Sequence, residues 1–157
     1  MLTKAFKNGS LDSEPAFAFT IHFFPLVFHR EAYTMSEGVH FIQKEFGSVN
    51  ATKFVDLVFK NQDAFGTNAT YDKTRFEVED QLAALVESEL GIPKQVYLEG
   101  VRKRANDLAS RTSWKYGCSK GVLGTPTYFA NGVFFDGGAS LDANGFVEFV
   151  RKYVASE

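Results

Sequence analysis

The spacing of apolar residues changes several times along the chain, and each change marks an element. Phe17-Ala18-Phe19-Thr20-Ile21-His22-Phe23-Phe24 is aromatic and β-branched and lies between Pro15 and Pro25. It predicts a strand, and its near-continuous apolarity predicts burial on both faces, as in a parallel sheet. From Glu31 the period lengthens. Ala32, Met35, Val39, Ile42 and Phe46 recur at helical spacing, and Gly47 follows as a stop. Phe54, Leu57 and Val58 mark a second, shorter helix. Thr74-Arg75-Phe76-Glu77 fits a capping box, in which the Thr oxygen takes an orphan backbone N–H and Glu77 reaches back. The helix it opens carries Phe76, Leu82, Leu85, Val86 and Leu90, and Gly91 closes it. Pro93 suits the first turn of the next helix, where its missing N–H would be unpaired anyway. That helix is predicted to run through Val96, Val101, Ala105 and Leu108, with a further short helix over Thr112 to Ser119.

The chain then returns to strands. Thr127-Tyr128-Phe129-Ala130 and Val133-Phe134-Phe135 flank Asn131-Gly132, a two-residue hairpin signal because both turn positions need positive φ. A last helix follows Ser140 or Asp142, with Phe146, Phe149, Val150 and Tyr153 as its buried stripe. A lone strand ahead of a helical block cannot form a sheet alone. It must join the later hairpin, which predicts an α/β sheet interrupted by helices over about residues 31–119, in one domain spanning 1–157.

Composition narrows the function classes. At 157 residues the chain is one ordinary domain in length, and 45% hydrophobic residues suffice for a core. Seventeen Lys+Arg against nineteen Asp+Glu leave a formal net charge of −2, which steers the protein toward neither nucleic acid nor an anionic membrane. No apolar run approaches the ~20 residues of a membrane span. Residues 1–9 hold no apolar stretch of the ~7–15 residues a signal peptide needs, so a secretory location would require a longer N-terminus and a cytoplasmic one would not. Two sequons, Asn50-Ala51-Thr52 and Asn68-Ala69-Thr70, matter only in the secretory pathway; otherwise they are chance matches. One cysteine, Cys118, excludes an internal disulfide and a thiolate zinc cluster. His22, His29 and His40 show no ligand spacing, so no metal and no cofactor is predicted. Neither Gly-x-Gly-x-x-Gly nor a P-loop occurs. Glu77, Glu79, Asp80, Glu87 and Glu89 read as the solvated face of one helix.

The strongest local signal is Gly121-Val122-Leu123-Gly124-Thr125-Pro126-Thr127-Tyr128-Phe129. Proline just ahead of a buried strand is unusual because it cannot donate to the ladder. A cis Thr125–Pro126 bond accounts for it, and a trans proline that starts the strand is the alternative. With Asn131-Gly132 behind it, this stretch resembles the cis-proline loop and hairpin of thioredoxin-fold oxidoreductases, above all the DsbA-like group. Phe24-Pro25-Leu26, His29 and Ala32 resemble that family's passage from its second core strand into a helical insertion. Asp56-Leu57-Val58-Phe59-Lys60-Asn61-Gln62 resembles a segment inside the insertion. The resemblance covers roughly Phe17 to Tyr153 and implies a thioredoxin-like fold. It also implies descent from thiol–disulfide exchange on protein substrates.

The family begins with a strand and a Cys-x-x-Cys pair at the start of the first helix, where the helix terminus stabilises the attacking thiolate. Neither has a counterpart among these residues; Leu2, Ala5 and Phe6 match at most the tail of that first helix. Truncation of a longer protein, loss of the motif in a binding member, and a strand recruited from a partner or by swapping in a homodimer are the competing explanations. Cys118, with Lys115 and Lys120 nearby, is a lone nucleophile or, more simply, a small buried apolar residue. A lone thiol has no resolving partner. Trp114 and Tyr116 read as core or groove-wall aromatics. No catalytic residue is assigned. By the family's logic the substrate-binding residues are Gly124, Thr125 and Pro126, where an extended peptide would pair with free backbone. The expected function is therefore peptide or protein binding without redox turnover. The alternatives are a glutathione-dependent transferase or isomerase, and a non-catalytic interaction domain completed by a partner's strand.

Overall fold

In a computed structural model of the chain, residues 20–136 and 138–154 are described. The fold is mixed α/β: mostly helical, with a single two-stranded antiparallel sheet among the described residues. The chain divides into a helical unit, His22–Gly121, and a second unit whose described residues are 20–21, 122–136 and 138–154.

The strand expected over residues 17–24 is not present in its described part. Residues 20–26 carry no regular structure; 17–19 lie outside the described residues, as do Leu2, Ala5 and Phe6. The apolar side chains of 22–24 are spent on a helix instead of a sheet. Phe24 lies against Gly117, where an added Cβ would come within 2.5 Å of its ring, and stacks on Trp114 at 6.0 Å. His22 packs on Tyr116 at 4.6 Å, and Ser113 Oγ donates to the Phe23 carbonyl at 2.9 Å. No parallel sheet is found among the described residues.

Helix α1, Ala32–Lys60, is two helices joined at a kink, because Gly47 sits at φ 82°, ψ 169°. That is the stop its sequence predicts, placed where only glycine adopts the backbone without strain. A one-turn helix α2 spans Thr67–Thr70. Arg30 ties its C-terminal end down, its guanidinium donating to the carbonyls of Thr70 (2.7 Å), Tyr71 (2.8 Å) and Lys73 (2.5 Å). Helix α3, Arg75–Leu90, opens with the full capping box at Thr74 and Glu77 and closes on Gly91 in the left-handed region. These bonds hold the Glu77 carboxyl below the usual carboxylate range.

The next boundary differs from the sequence reading. Helix α4 is only Lys94–Val101, with Pro93 as its N-cap, and one helix, α5, covers Arg104–Ser119. Asn106 explains the break, since its Nδ2 donates to the Gly100 carbonyl at 2.8 Å and satisfies the C-terminal end of α4. Val96 and Leu108, assigned to one apolar stripe, are both exposed.

The core of this unit is where α1, α3 and α4 meet. Tyr97 is fully buried, edge-on to Phe41 at 5.7 Å and beside Phe54 at 6.1 Å. It fits because Gly38 leaves it room. Gly100 plays the same part for Phe41, whose ring lies where an alanine methyl would be. Val78, Leu82 and Val86 supply the face of α3, all at 0% exposure, whereas Phe76 is exposed.

In the second unit, β1 (Tyr128–Ala130) pairs with β2 (Val133–Phe135) in the register Tyr128↔Phe135. Asn131 and Gly132 both have positive φ, 49° and 81°, as the hairpin signal requires. Helix α6, Ala143–Val154, starts at Asp142, whose carboxylate accepts from the Gly145 N–H at 2.7 Å. Phe146 and Val147 are buried, and Phe149 stacks on Phe135 at 4.1 Å. The side chains of Val150 and Tyr153 lie outside the described residues.

Gly100→Ala forces a methyl into the Phe41 ring, which an interior packed to crystal density does not absorb. It is expected to cost about 1–3 kcal/mol, read as a lower urea midpoint with an unchanged slope.

Candidate functional site

The loop ahead of β1 is the place where backbone is offered outward. Gly121 turns the chain at φ 75° directly after α5. Leu123 is 95% exposed, and Thr125 and Pro126 are exposed. The Thr125–Pro126 bond is cis. Thr127 Oγ1 donates to the Gly124 carbonyl at 2.6 Å and holds the bend closed from inside. Among the described residues, nothing pairs with the backbone N–H and C=O groups of Leu123 and Thr125. A Cβ built on Gly124, a half-buried residue, meets no atom of the described residues within 4 Å. The loop runs straight into β1, which has β2 on one side and, among the described residues, no strand on the other. Gly124, half-buried, and the exposed Thr125 and Pro126 are thus contiguous and lead into a strand edge that no other described strand covers.

Cys118 is not in that unit. It belongs to α5, and it is exposed, which corrects the simple reading of a buried apolar residue. The helix turns Gly117 toward Phe24 and leaves its neighbour Cys118 facing water. Trp114 and Tyr116 are likewise partly exposed, and Lys120 Nζ lies 5.7 Å from the Tyr116 ring centroid. No three His, Cys, Asp or Glu side chains converge as a metal ion would need among the described residues. Nor is any described helix long and apolar enough to cross a membrane.

A buried charge cluster escaped the sequence reading. Glu79, placed there on a solvated face, is 1% exposed, and Glu37 is 3% exposed. Arg75 bridges them: its Nη2 donates to Glu37 at 2.6 Å and its Nε to Glu79 at 2.7 Å. Arg102 Nε donates to the second Glu79 oxygen at 2.7 Å, and its guanidinium lies 4.9 Å over the exposed Phe76 ring. The signal was an arginine four residues before a glutamate, but i,i+4 pairs are common on exposed faces too. Burial pushes the Glu37 carboxyl upward against the pull of Arg75. Tyr97 Oη, also pushed up by burial, has no hydrogen-bond partner among the described residues. His40 is pushed down by burial alone.

No protein-family model matches this sequence, and no curated protein or solved structure matches it.

Two measurements test this geometry. Cys118 in the folded protein is expected to react with one equivalent of a maleimide without denaturant, leaving the far-ultraviolet circular dichroism unchanged. A thiol that labels only after unfolding contradicts its exposure. Arg75→Met strands the Glu37 carboxylate in the interior, and the loss is expected to be about 3–5 kcal/mol in urea denaturation. Glu79→Gln should cost less, because both arginines it releases are half exposed and turn to solvent.

Proposed function

We propose that the chain is a thioredoxin-like domain of the DsbA-like kind that binds an extended polypeptide at Gly124-Thr125-Pro126 and carries out no dithiol exchange by itself. One observation carries this reading: an exposed loop, whose Leu123 and Thr125 backbone groups have no partner among the described residues, leads into a strand edge that no other described strand covers. The order of elements supports it, with a helical block followed by proline loop, hairpin and terminal helix. The chemistry follows from the inventory. A lone thiolate can form a mixed disulfide with a substrate, but closing the cycle needs a second thiol. With one cysteine among these 157 residues, that thiol must come from outside them. What the loop offers without it is strand addition. The partner's backbone pairs with Thr125 and with the edge of β1 opposite β2, while alternate partner side chains face Leu123 and the hairpin.

The test is a titration of the isotope-labelled protein with an unfolded, carboxymethylated insulin B chain. Amide shifts are expected at residues 123–130. Gly124→Val places its Cβ where no atom of the described residues lies within 4 Å and leaves the fold alone, so it should weaken binding at least about tenfold, or ~1.4 kcal/mol, without lowering stability. The protein should not reduce insulin disulfides beyond the dithiothreitol background. Shifts confined to the helical unit, or none, remove the binding reading. Insulin reduction removes the redox-inactive one.

A further inference from the structure

The helical unit contains a charge arrangement that is balanced in number and unbalanced in place. Two carboxylates, Glu37 and Glu79, face two guanidiniums, Arg75 and Arg102. Glu79 accepts from both guanidiniums, one on each oxygen. Glu37 has a share of Arg75 alone. The other groups around Glu37 do not make up the difference. From α3 it faces Arg75 and the Glu79 carboxylate, and from α5 the Asp107 carboxylate. From α4 the neighbour is Tyr97, whose hydroxyl is neutral, and from its own helix Tyr33, whose hydroxyl donates to Asp107 at 2.8 Å. Asp107 is further engaged by Arg111 at 2.9 Å. Of the two carboxylates, Glu37 is therefore the one with the poorer compensation, linked to α3 by a single guanidinium that has a second partner available.

We propose that Glu37 and Arg75 form a proton-operated latch between α1 and α3: when Glu37 takes up a proton, Arg75 is left to Glu79 and the charged tie between the two helices is released. Arg75 is half exposed, so its guanidinium is free to reorient without unpacking the core. A neutral carboxyl at Glu37 is cheaper to keep buried than a carboxylate holding half of one partner. The uptake therefore does not unfold the unit; it exchanges a charged link for a neutral one. Burial pushes the folded-state carboxyl upward, which moves this exchange above the ordinary carboxylate range, toward mildly acidic pH. The sign for stability follows. Glu37's contribution is complete below the ordinary carboxylate midpoint and is lost as pH rises through the folded midpoint. Within that window the folding constant falls by up to about tenfold per pH unit, and above it the contribution is flat.

The test uses the full chain with carbon-labelled glutamate and nitrogen-labelled arginine. The Glu37 carboxyl signal, assigned by its absence in Glu37→Gln, is expected to titrate above the ordinary range. The Arg75 Nε signal should shift with the same midpoint. Glu37→Gln fixes the neutral state, so its Arg75 signal at pH 7.5 should match that of the native protein at acid pH and no longer move. A Glu37 midpoint at or below the ordinary carboxylate value overturns the latch, and so does an Arg75 signal that stays still while Glu37 titrates. If Glu37→Gln does not fold, Glu37→Asp supplies the assignment and the native titration alone decides.

Discussion

The helical unit depends on one carboxylate. Glu79 lies at 1% exposure in the second turn of α3 and receives a guanidinium from its own helix and another from the link between α4 and α5. Through Arg75 it also reaches Glu37 on α1. Burying such a charge costs several kcal/mol unless it is met on every side, so this point fixes where three segments lie relative to one another. The hydrophobic core is built around it without competing for the same space. Tyr97 fills the gap that Gly38 leaves, and Phe41 the gap that Gly100 leaves. Close helix approach at these glycines brings the arginines within reach of their acids.

The second unit follows a different plan. Its hairpin is too small to be stable alone, and a two-stranded ribbon needs a packed face. Phe135 provides it against Phe149 of α6, while the opposite face carries Phe129 and Phe134 in edge contact at 6.0 Å, both exposed. The proline loop is held by a bond within itself, from Thr127 to Gly124, and its outward backbone at Leu123 and Thr125 has no partner among the described residues. Shape comes from inside the loop, and pairing capacity stays outside it.

Legibility in the sequence tracked how local the cause was. The capping box at Thr74, the stops at Gly47 and Gly91 and the Asn131-Gly132 turn are decided within a few residues, and each was readable; the Thr125–Pro126 bond was left open between cis and trans, and the structure has it cis. The α4–α5 boundary was not, because it depends on Asn106 reaching back to Gly100. The strand over residues 17–24 failed in its described part for a related reason. An apolar run says that side chains must be buried, not whether a sheet or a helix face buries them, and here Trp114, Tyr116 and Gly117 do. The loop residues of the candidate site were legible as a motif. The exposure of Cys118 was not, because one helical position cannot be assigned a face until its neighbours are placed. The burial of Glu79 was hidden for the same reason: one of its two arginine partners, Arg102, lies 23 residues away.

The seam between α1 and α5 is made of small polar groups. Ser36 donates to Ser110 at 3.1 Å, both buried, and Tyr33 reaches the carbonyl and the carboxylate of Asp107. An oily seam tolerates sliding, since one methyl group replaces another at little cost. Hydroxyl groups do not: each needs its own counterpart at bonding distance, and a shift of one residue would leave several without one. The pairing of these two helices therefore works as a vernier scale, with weak grip at each mark and only one alignment in which the marks coincide.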